Sequence, residues 1–185
     1  MKELSLNILD ISENSATAGA TLIEIELTED DSELNVSVTD NGCGMSKEVI
    51  ASVENPFYTQ RTTRKVGLGI PLFKMAAEQT GGTLKIESKT KEEHPDSHGT
   101  KISASFIKNH IDFTPIGDIV STITTLIQGH PDIDFLFTHK KNGVKVSLDT
   151  RELKEILEDV PLDSFEVLGW IKNNLDGQYG ELYSE

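Results

Sequence analysis

The chain has 185 residues, of which 26 % are charged, and its formal net charge is −14. A surface this acidic repels a phosphate backbone, so we do not expect nucleic-acid binding. No apolar run is long enough to cross a bilayer, and a single cysteine, Cys43, excludes an internal disulfide. We therefore expect a cytoplasmic protein with neither membrane nor nucleic-acid partners.

Apolar periodicity in the first 107 residues predicts three helices and four strands. Strands paired by short hairpins, with the helices gathered on one face, make a two-layer α/β sandwich of the α+β class. In chain order the predicted elements are a helix over 3–18, strands over 21–27 and 33–40, a short helix from Ser46, a helix over 69–80, and strands over 83–89 and 100–107.

The remaining residues, 108–185, are predicted to form a small accessory α+β unit with one hairpin. The chain is thus predicted to divide into domains at 1–107 and 108–185, with protein docking or dimerisation as the default role of the second. The signals for this unit are a helix starting at Thr114 and Pro115, a hairpin turn at Asn142 and Gly143, a capping box of Asp149 and Glu152, and a last helix over about 164–175.

One glycine cluster follows the strand that ends at Asp40. Gly42 and Gly44 let the backbone pass close to a flat ring. A buried carboxylate at Asp40 can accept a hydrogen bond from an exocyclic amine such as that of adenine. The alternative is that "DNG" is a plain turn, the common use of these residues.

A second glycine cluster opens the helix predicted over 69–80. Gly67 and Gly69 stand where free backbone N–H groups and the helix dipole favour an anion. The pattern is neither a P-loop nor a dinucleotide fingerprint. Just before it lies a basic cluster in an otherwise acidic chain, which indicates either a specific anion or a solvated loop. This cluster consists of Arg61, Arg64 and Lys65.

The first helix carries a polar stripe along one face. Asn14 offers an amide oxygen that suits Mg²⁺, which takes few protein ligands and completes its shell with water and phosphate. Asp10, one turn earlier, could orient or deprotonate a water. A solvated helix face is the alternative interpretation. The stripe comprises Asn7, Asp10, Asn14 and Thr17.

With these motifs the chain resembles the ATP-binding domain of the GHKL superfamily: gyrase, the heat-shock chaperone of that group, histidine kinases and mismatch-repair ATPases. "ENSATAGATLIEIEL" is similar to the N box and following strand, and "DNGCGM" to the first glycine box. "NPFYTQRTTRKVGLGIPLFKMAAEQTGGTLKIES" is similar to the F box and second glycine box of histidine kinases, and "HGTKISASF" to the last glycine-threonine box.

The resemblance implies a Bergerat-type fold and a site for ATP or ADP with Mg²⁺. It implies that residues 45–66 form an ATP lid over the triphosphate. The implied roles are Asn14 as Mg²⁺ ligand, Asp40 as adenine contact, Gly42 and Gly44 as the base pocket, Gly67, Leu68 and Gly69 as phosphate-facing backbone, Thr100 as a second base-side contact, and Arg61, Arg64 or Lys65 near the triphosphate.

Two departures from the family pattern leave the activity open. Asp10 stands where the family often has Glu, Asn or His, and the helical hairpin with the phospho-accepting histidine is not expected in this chain. We expect a stand-alone Mg²⁺-dependent ATP-binding protein with slow ATPase or protein-kinase activity. The alternatives are a nucleotide-gated regulator of protein interactions, resembling the anti-sigma regulators, and a domain that binds no nucleotide.

Partners beyond the nucleotide are open as well. A protein partner is expected to bind through residues 108–185, and the pattern also allows a homodimer. His94 and His98 flank Pro95 in a polar segment, which favours a solvated loop over a metal-binding pair.

Overall fold

Strict alternation of apolar residues in the strands places one face of a mixed sheet against helices. The computed structural model describes residues 3–53 and 68–184, which contain six helices and six strands. In chain order these are α1 (Leu4–Thr17), β1 (Leu22–Glu29), β2 (Glu33–Asp40), α2 (Lys47–Val53), α3 (Gly69–Gln79), β3 (Leu84–Lys89), β4 (Gly99–Ile107), α4 (Ile119–Gly129), β5 (Asp134–Lys141), β6 (Val144–Asp149), α5 (Thr150–Leu157) and α6 (Phe165–Leu182).

The strands lie side by side in the order β3-β4-β2-β1-β5-β6. Neighbours are antiparallel except β1 and β5, which run parallel from the Leu22–Asp134 pair onwards. This arrangement confirms the predicted α+β sandwich. The predicted C-terminal hairpin forms as β5 and β6. Its two strands are added to the sheet that the first 107 residues make. The domain boundary at 107 stays a prediction.

The core lies between the helices and the inner face of the sheet. Every second residue of β1, namely Ile23, Ile25 and Leu27, is almost completely buried. On the helical side Phe73 packs against Phe106, with ring centroids 5.4 Å apart. Burying such side chains contributes about 1.5–3 kcal/mol each, which is what holds α1 and α3 on the sheet.

The predicted start of α4 at Thr114 and Pro115 is wrong. The helix begins at Ile119, and the Asp118 carboxylate caps it by accepting the Ser121 N–H at 2.9 Å. The carbonyl groups of Pro115 and Ile116 instead accept the N–H groups of Leu4 and Ser5. Residues 115–116 therefore cap α1, a tertiary role that the local helix signal does not reveal.

The last helix, α6, ends at Leu182 and is longer than the predicted 164–175. Leu175 and Leu182 are both buried, so tertiary packing carries the helix past its glycines. The Gln178 amide also bonds the backbone of Ser147, accepting its N–H at 2.8 Å and donating to its carbonyl at 3.1 Å. A side chain of α6 thus occupies backbone hydrogen-bonding groups of the edge strand β6.

Two local predictions in the second half of the chain are confirmed. Asn142 and Gly143 form the hairpin turn with φ of 47° and 85°. Asp149, the first residue of the predicted capping box, is the N-cap of α5, where its carboxylate accepts the Arg151 N–H at 2.9 Å. The return contact from Glu152 stays a prediction.

Candidate nucleotide-binding site

The Asp40 carboxylate lies at the end of β2, half-buried and fixed on both oxygens. Its Oδ1 accepts the Gly42 N–H at 2.8 Å, and its Oδ2 accepts the Ser15 hydroxyl at 2.7 Å. A carboxylate oxygen can accept more than one hydrogen bond, so both oxygens keep acceptor capacity. The group is therefore a preoriented acceptor suited to an amine on a flat ring.

Thr100 is the register partner of Asp40 on β4 and is 9 % exposed. Its hydroxyl lies 2.8 Å from that of Ser88, which also accepts the Met45 N–H at 2.7 Å and donates to the Gly99 carbonyl at 3.0 Å. Since Ser88 has one proton and gives it to Gly99, Thr100 donates to Ser88. The Thr100 oxygen is then left as an acceptor beside Asp40.

The glycines after Asp40 are required by close backbone contacts. Gly44 has φ +73°, and a Cβ there would lie 1.9 Å from the Lys89 carbonyl oxygen. A Cβ on Gly42 would lie 3.0 Å from both the Ala18 Cβ and the Asp40 carboxylate. The loop consequently follows the end of the sheet without side chains that would fill the space beside Asp40.

Asp10 on α1 lies against the start of α3. A Cβ on Gly69 would be 2.9 Å from the Asp10 Cβ. Asp10 is exposed and Asn14 is half-buried, one helical turn further on. Leu68, the residue before α3, is 65 % exposed. The first N–H groups of a helix have no partner within it and favour anions, so Asp10 stands at the edge of the predicted anion site.

Part of the predicted site lies outside the described residues. This applies to Arg61, Arg64, Lys65 and Gly67, and to most of the predicted lid over 45–66. The described beginning of that lid contains α2, and the Val49 N–H lies 3.4 Å from the hydroxyl of Ser46, in agreement with the short helix predicted from Ser46.

Five contacts at the site were not predicted. Ser15 and Ser88 hold Asp40 and Thr100, and the side-chain oxygen Oδ1 of Asn41 accepts the N–H groups of Thr21 and Leu22 at 2.8 and 3.0 Å. Nδ1 of His98 contacts the Gly42 carbonyl. Each pair joins residues between 12 and 56 positions apart, so no local pattern could have indicated it.

A second polar cluster surrounds Glu29, at the end of β1 that lies farther from Asp40. Lys108 Nζ donates to its carboxylate at 2.7 Å, and His139 Nε2 lies 3.3 Å away. Burial raises the pKa of Glu29, but the interactions with His139 and Lys108 outweigh burial and lower it to about 2.

A cavity of about 440 Å³ borders this cluster and is also lined by Tyr179 and Tyr183. Burial raises the pKa of Tyr183 to about 12.

The described residues contain no group of three or more His, Cys, Asp or Glu side chains placed to hold a metal. None of the helices within 3–53 and 68–184 combines the length and apolarity that crossing a membrane requires.

Comparison with known proteins identifies the family. The family described as "Histidine kinase-, DNA gyrase B-, and HSP90-like ATPase" matches residues 1–110, more than half of the chain. The protein belongs to this family, which confirms the resemblance to GHKL ATP-binding domains.

Two curated relatives represent two branches of the family. The chain is 29 % identical over 108 residues to Sporulation kinase A of Bacillus subtilis (strain 168), covering 58 % of this chain and 16 % of the kinase. It is 23 % identical over 188 aligned positions to the DNA mismatch repair protein MutL of Listeria monocytogenes serotype 4b (strain F2365), covering 81 % of this chain and 30 % of MutL. The chain thus spans less than a third of either relative.

Solved structures show the same fold. The N-terminal domain of a DNA repair protein superposes with a TM-score of 0.56 at 17 % identity, over 80 % of this chain and 53 % of that one. The Aquifex aeolicus MutL ATPase domain complexed with ADP gives a TM-score of 0.50 at 14 % identity, over 85 % and 70 % of the two chains. Coverage of at least 80 % means that the likeness cannot be confined to residues 1–107.

Proposed function

We propose that the protein binds ATP with Mg²⁺ and turns it over slowly, as an ATPase or as a protein kinase. The observation that carries the proposal is the Asp40 carboxylate, preoriented by Gly42 and Ser15 in a glycine-lined loop. Family membership supports it. So do two similar proteins, a sporulation kinase and a MutL ATPase domain complexed with ADP.

The base of the nucleotide would bind at the ends of β2 and β4. Asp40 would accept a hydrogen bond from the exocyclic amine of adenine, and the Thr100 oxygen would serve as a second acceptor on the same side. Gly42 and Gly44 would line the pocket with backbone, because a Cβ at Gly44 would collide with Lys89 and a Cβ at Gly42 would be in tight contact with Ala18 and Asp40.

The phosphates would lie at the start of α3. Backbone N–H groups around Gly67, Leu68 and Gly69 would face them, and the helix dipole favours their charge. The basic cluster of Arg61, Arg64 and Lys65, in the lid over 45–66, would add positive charge in a chain whose net charge is −14.

Asn14 fits a Mg²⁺ bound through few protein atoms. It is half-buried on α1, and it carries an amide oxygen and no charge, which suits a cation held mainly by phosphate and water. Mg²⁺ bound there would neutralise charge on the triphosphate. Asp10, one turn away and beside Gly69, would accept the proton of the attacking water or hydroxyl.

The second candidate function is a nucleotide-gated regulator with little turnover. Asp10 favours it, because Asp is one methylene shorter than Glu and reaches less far towards a phosphate. The C-terminal part favours it as well, since it exposes Phe165 (87 %) and Trp170 (52 %), which suit a protein partner or a second copy of the chain. The acidic surface favours a protein over a nucleic-acid partner.

Titration of the purified protein with ATP and Mg²⁺, followed by product analysis, separates these functions. Released phosphate indicates an ATPase, phosphate transferred to protein indicates a kinase, and tight binding with neither product indicates a regulator. The matched variants are Asp40→Asn, at the site, and Asp132→Asn, at an exposed position far along the chain. Absence of ATP binding by the wild-type protein contradicts the proposal.

A further inference from the structure

The loop between β3 and β4 touches the glycine loop after Asp40 through one side chain. His98 is half-buried, in contrast to the exposed residues 91–97 before it, and its Nδ1 contacts the Gly42 carbonyl oxygen. The next residue, Gly99, has φ +137°, and a Cβ there would lie 2.0 Å from the Asp40 carbonyl oxygen. The chain therefore crosses directly over the end of β2 at this point.

The backbone of Gly42 is held on both sides. Its N–H donates to the Asp40 carboxylate, and its carbonyl receives His98. The following residue, Cys43, is held in the same way, because its N–H donates to the Ala18 carbonyl at 3.0 Å and its carbonyl accepts the Lys91 N–H at 2.9 Å. Of the contacts that the 90–98 loop makes with Gly42 and Cys43, only that of His98 comes from a side chain.

The contact determines which ring nitrogen carries hydrogen. A carbonyl oxygen only accepts, so Nδ1 of His98 must be the donor. The neutral ring then has its acceptor at Nε2, on the side away from Gly42. Both this tautomer and the protonated ring keep the bond to Gly42.

We propose that His98 is a positioning residue of the adenine pocket, which acts on the nucleotide through Gly42 and Asp40. This inference rests on the proposed function. Its physical basis is that the Gly42 N–H is one of two donors that orient the Asp40 carboxylate. The Gly42 carbonyl lies in the next peptide group, which Gly42 shares with Cys43, and the two peptide groups meet at the Gly42 Cα. His98 at that carbonyl and Ala18 at the Cys43 N–H together fix the second peptide group and so restrict rotation about the backbone bonds of Gly42. Loss of the His98 contact leaves that peptide group held by Ala18, so the Gly42 N–H is aimed less firmly and the carboxylate that would accept the adenine amine is less well oriented.

The test compares ATP affinity in three variants by calorimetry. His98→Ala removes the donor and should weaken ATP binding about two- to tenfold, the range of a single neutral hydrogen bond. His98→Asn places an amide N–H donor the same number of bonds from Cα and should restore most of the affinity. His94→Ala, in the same loop but exposed, should bind as the wild type does, because its recorded contacts are through the backbone.

A spectroscopic measurement tests the contact without any mutation. The imidazole ¹⁵N spectrum, recorded where the ring is neutral, should show His98 protonated on Nδ1. An Nε2-protonated ring overturns the proposal, as does an Asn variant that binds no better than the Ala variant. If wild type and His98→Ala bind ATP equally, only this inference fails. If the wild type binds no ATP, the proposed function fails together with it.

Discussion

The Ser15 hydroxyl donates a 2.7 Å hydrogen bond to the Asp40 carboxylate, joining α1 to the end of β2. Ser15 directly follows Asn14, the candidate Mg²⁺ ligand, so in the proposed site one turn of one helix would position groups for both ends of the nucleotide. Asp10 lies a further turn back on the same helix, beside Gly69 at the start of α3. Small displacements of α1 would therefore affect base, metal and phosphate contacts together.

Asp40→Asn should abolish adenine-nucleotide binding with little loss of fold. An asparagine oxygen can still accept the Gly42 N–H, but its amide nitrogen then replaces Oδ2, which accepts the Ser15 hydroxyl, and would present a donor to the adenine amine of the proposed site. Two facing donors leave a buried polar group unsatisfied, at a cost of about 1–3 kcal/mol in addition to the lost bond. Calorimetric titration with ATP measures the effect, and circular dichroism checks the fold. Unchanged affinity in a folded variant would remove Asp40 from the site.

Ser15→Ala should weaken ATP binding about two- to tenfold and leave the Asp40 carboxylate in place but less well oriented. Ser12→Ala is the matched control on the same helix. The Ser12 hydroxyl is buried and has no hydrogen-bond partner within the described part of the chain, so its removal should not weaken binding. Equal affinity losses in both variants would show that α1 packing, and not the bond to Asp40, is responsible.

Much of the sheet, and the position of Asp40 at the end of a strand, were predictable because both depend on local sequence. Alternating apolar residues define β1 and β2, and Asp40 falls at a strand end because the alternation stops there. The start of α4 was not predictable, since the carbonyls of Pro115 and Ile116 are used by α1, more than a hundred residues earlier. The parallel pairing of β5 with β1 depends likewise on contacts distant in sequence.

The candidate site also combines features that local sequence predicts with features that depend on distant contacts. Asp40, Thr100 and Gly69 stand in recognisable motifs, and the structure places Asp40 beside Thr100 in register and Gly69 against Asp10. The contacts of Ser88 and His98 could not be predicted, because a serine at the end of one motif and a histidine at the start of another do not indicate their partners. Their roles arise from partners that the fold brings to them.

Acid should destabilise the fold through Glu29. A carboxyl with a pKa of about 2 in the folded state and about 4.5 when unfolded stabilises the fold fully above pH 4.5. That contribution, on the order of 3 kcal/mol, is lost as the pH falls from about 4.5 towards 2. Thermal unfolding between pH 6 and 3 should show a smaller dependence on pH in Glu29→Gln. Glu26→Gln, an exposed position on the same strand, should keep the wild-type dependence.

Asp10→Asn tests whether the candidate base acts in turnover. ATP binding should remain nearly intact, while turnover should fall about 10²- to 10⁴-fold, the usual contribution of a general base. In the proposed site the contact with Gly69 would place Asp10 near the terminal phosphate, but its short side chain favours a bridging water and hence a low wild-type rate. A calorimetric titration measures the ATP affinity of the variant, and a single-turnover assay measures its rate of ATP hydrolysis, so the effects on binding and on turnover are separated. Equal losses of binding and turnover would assign Asp10 to the Mg²⁺ shell, and a wild type without turnover would favour the regulator.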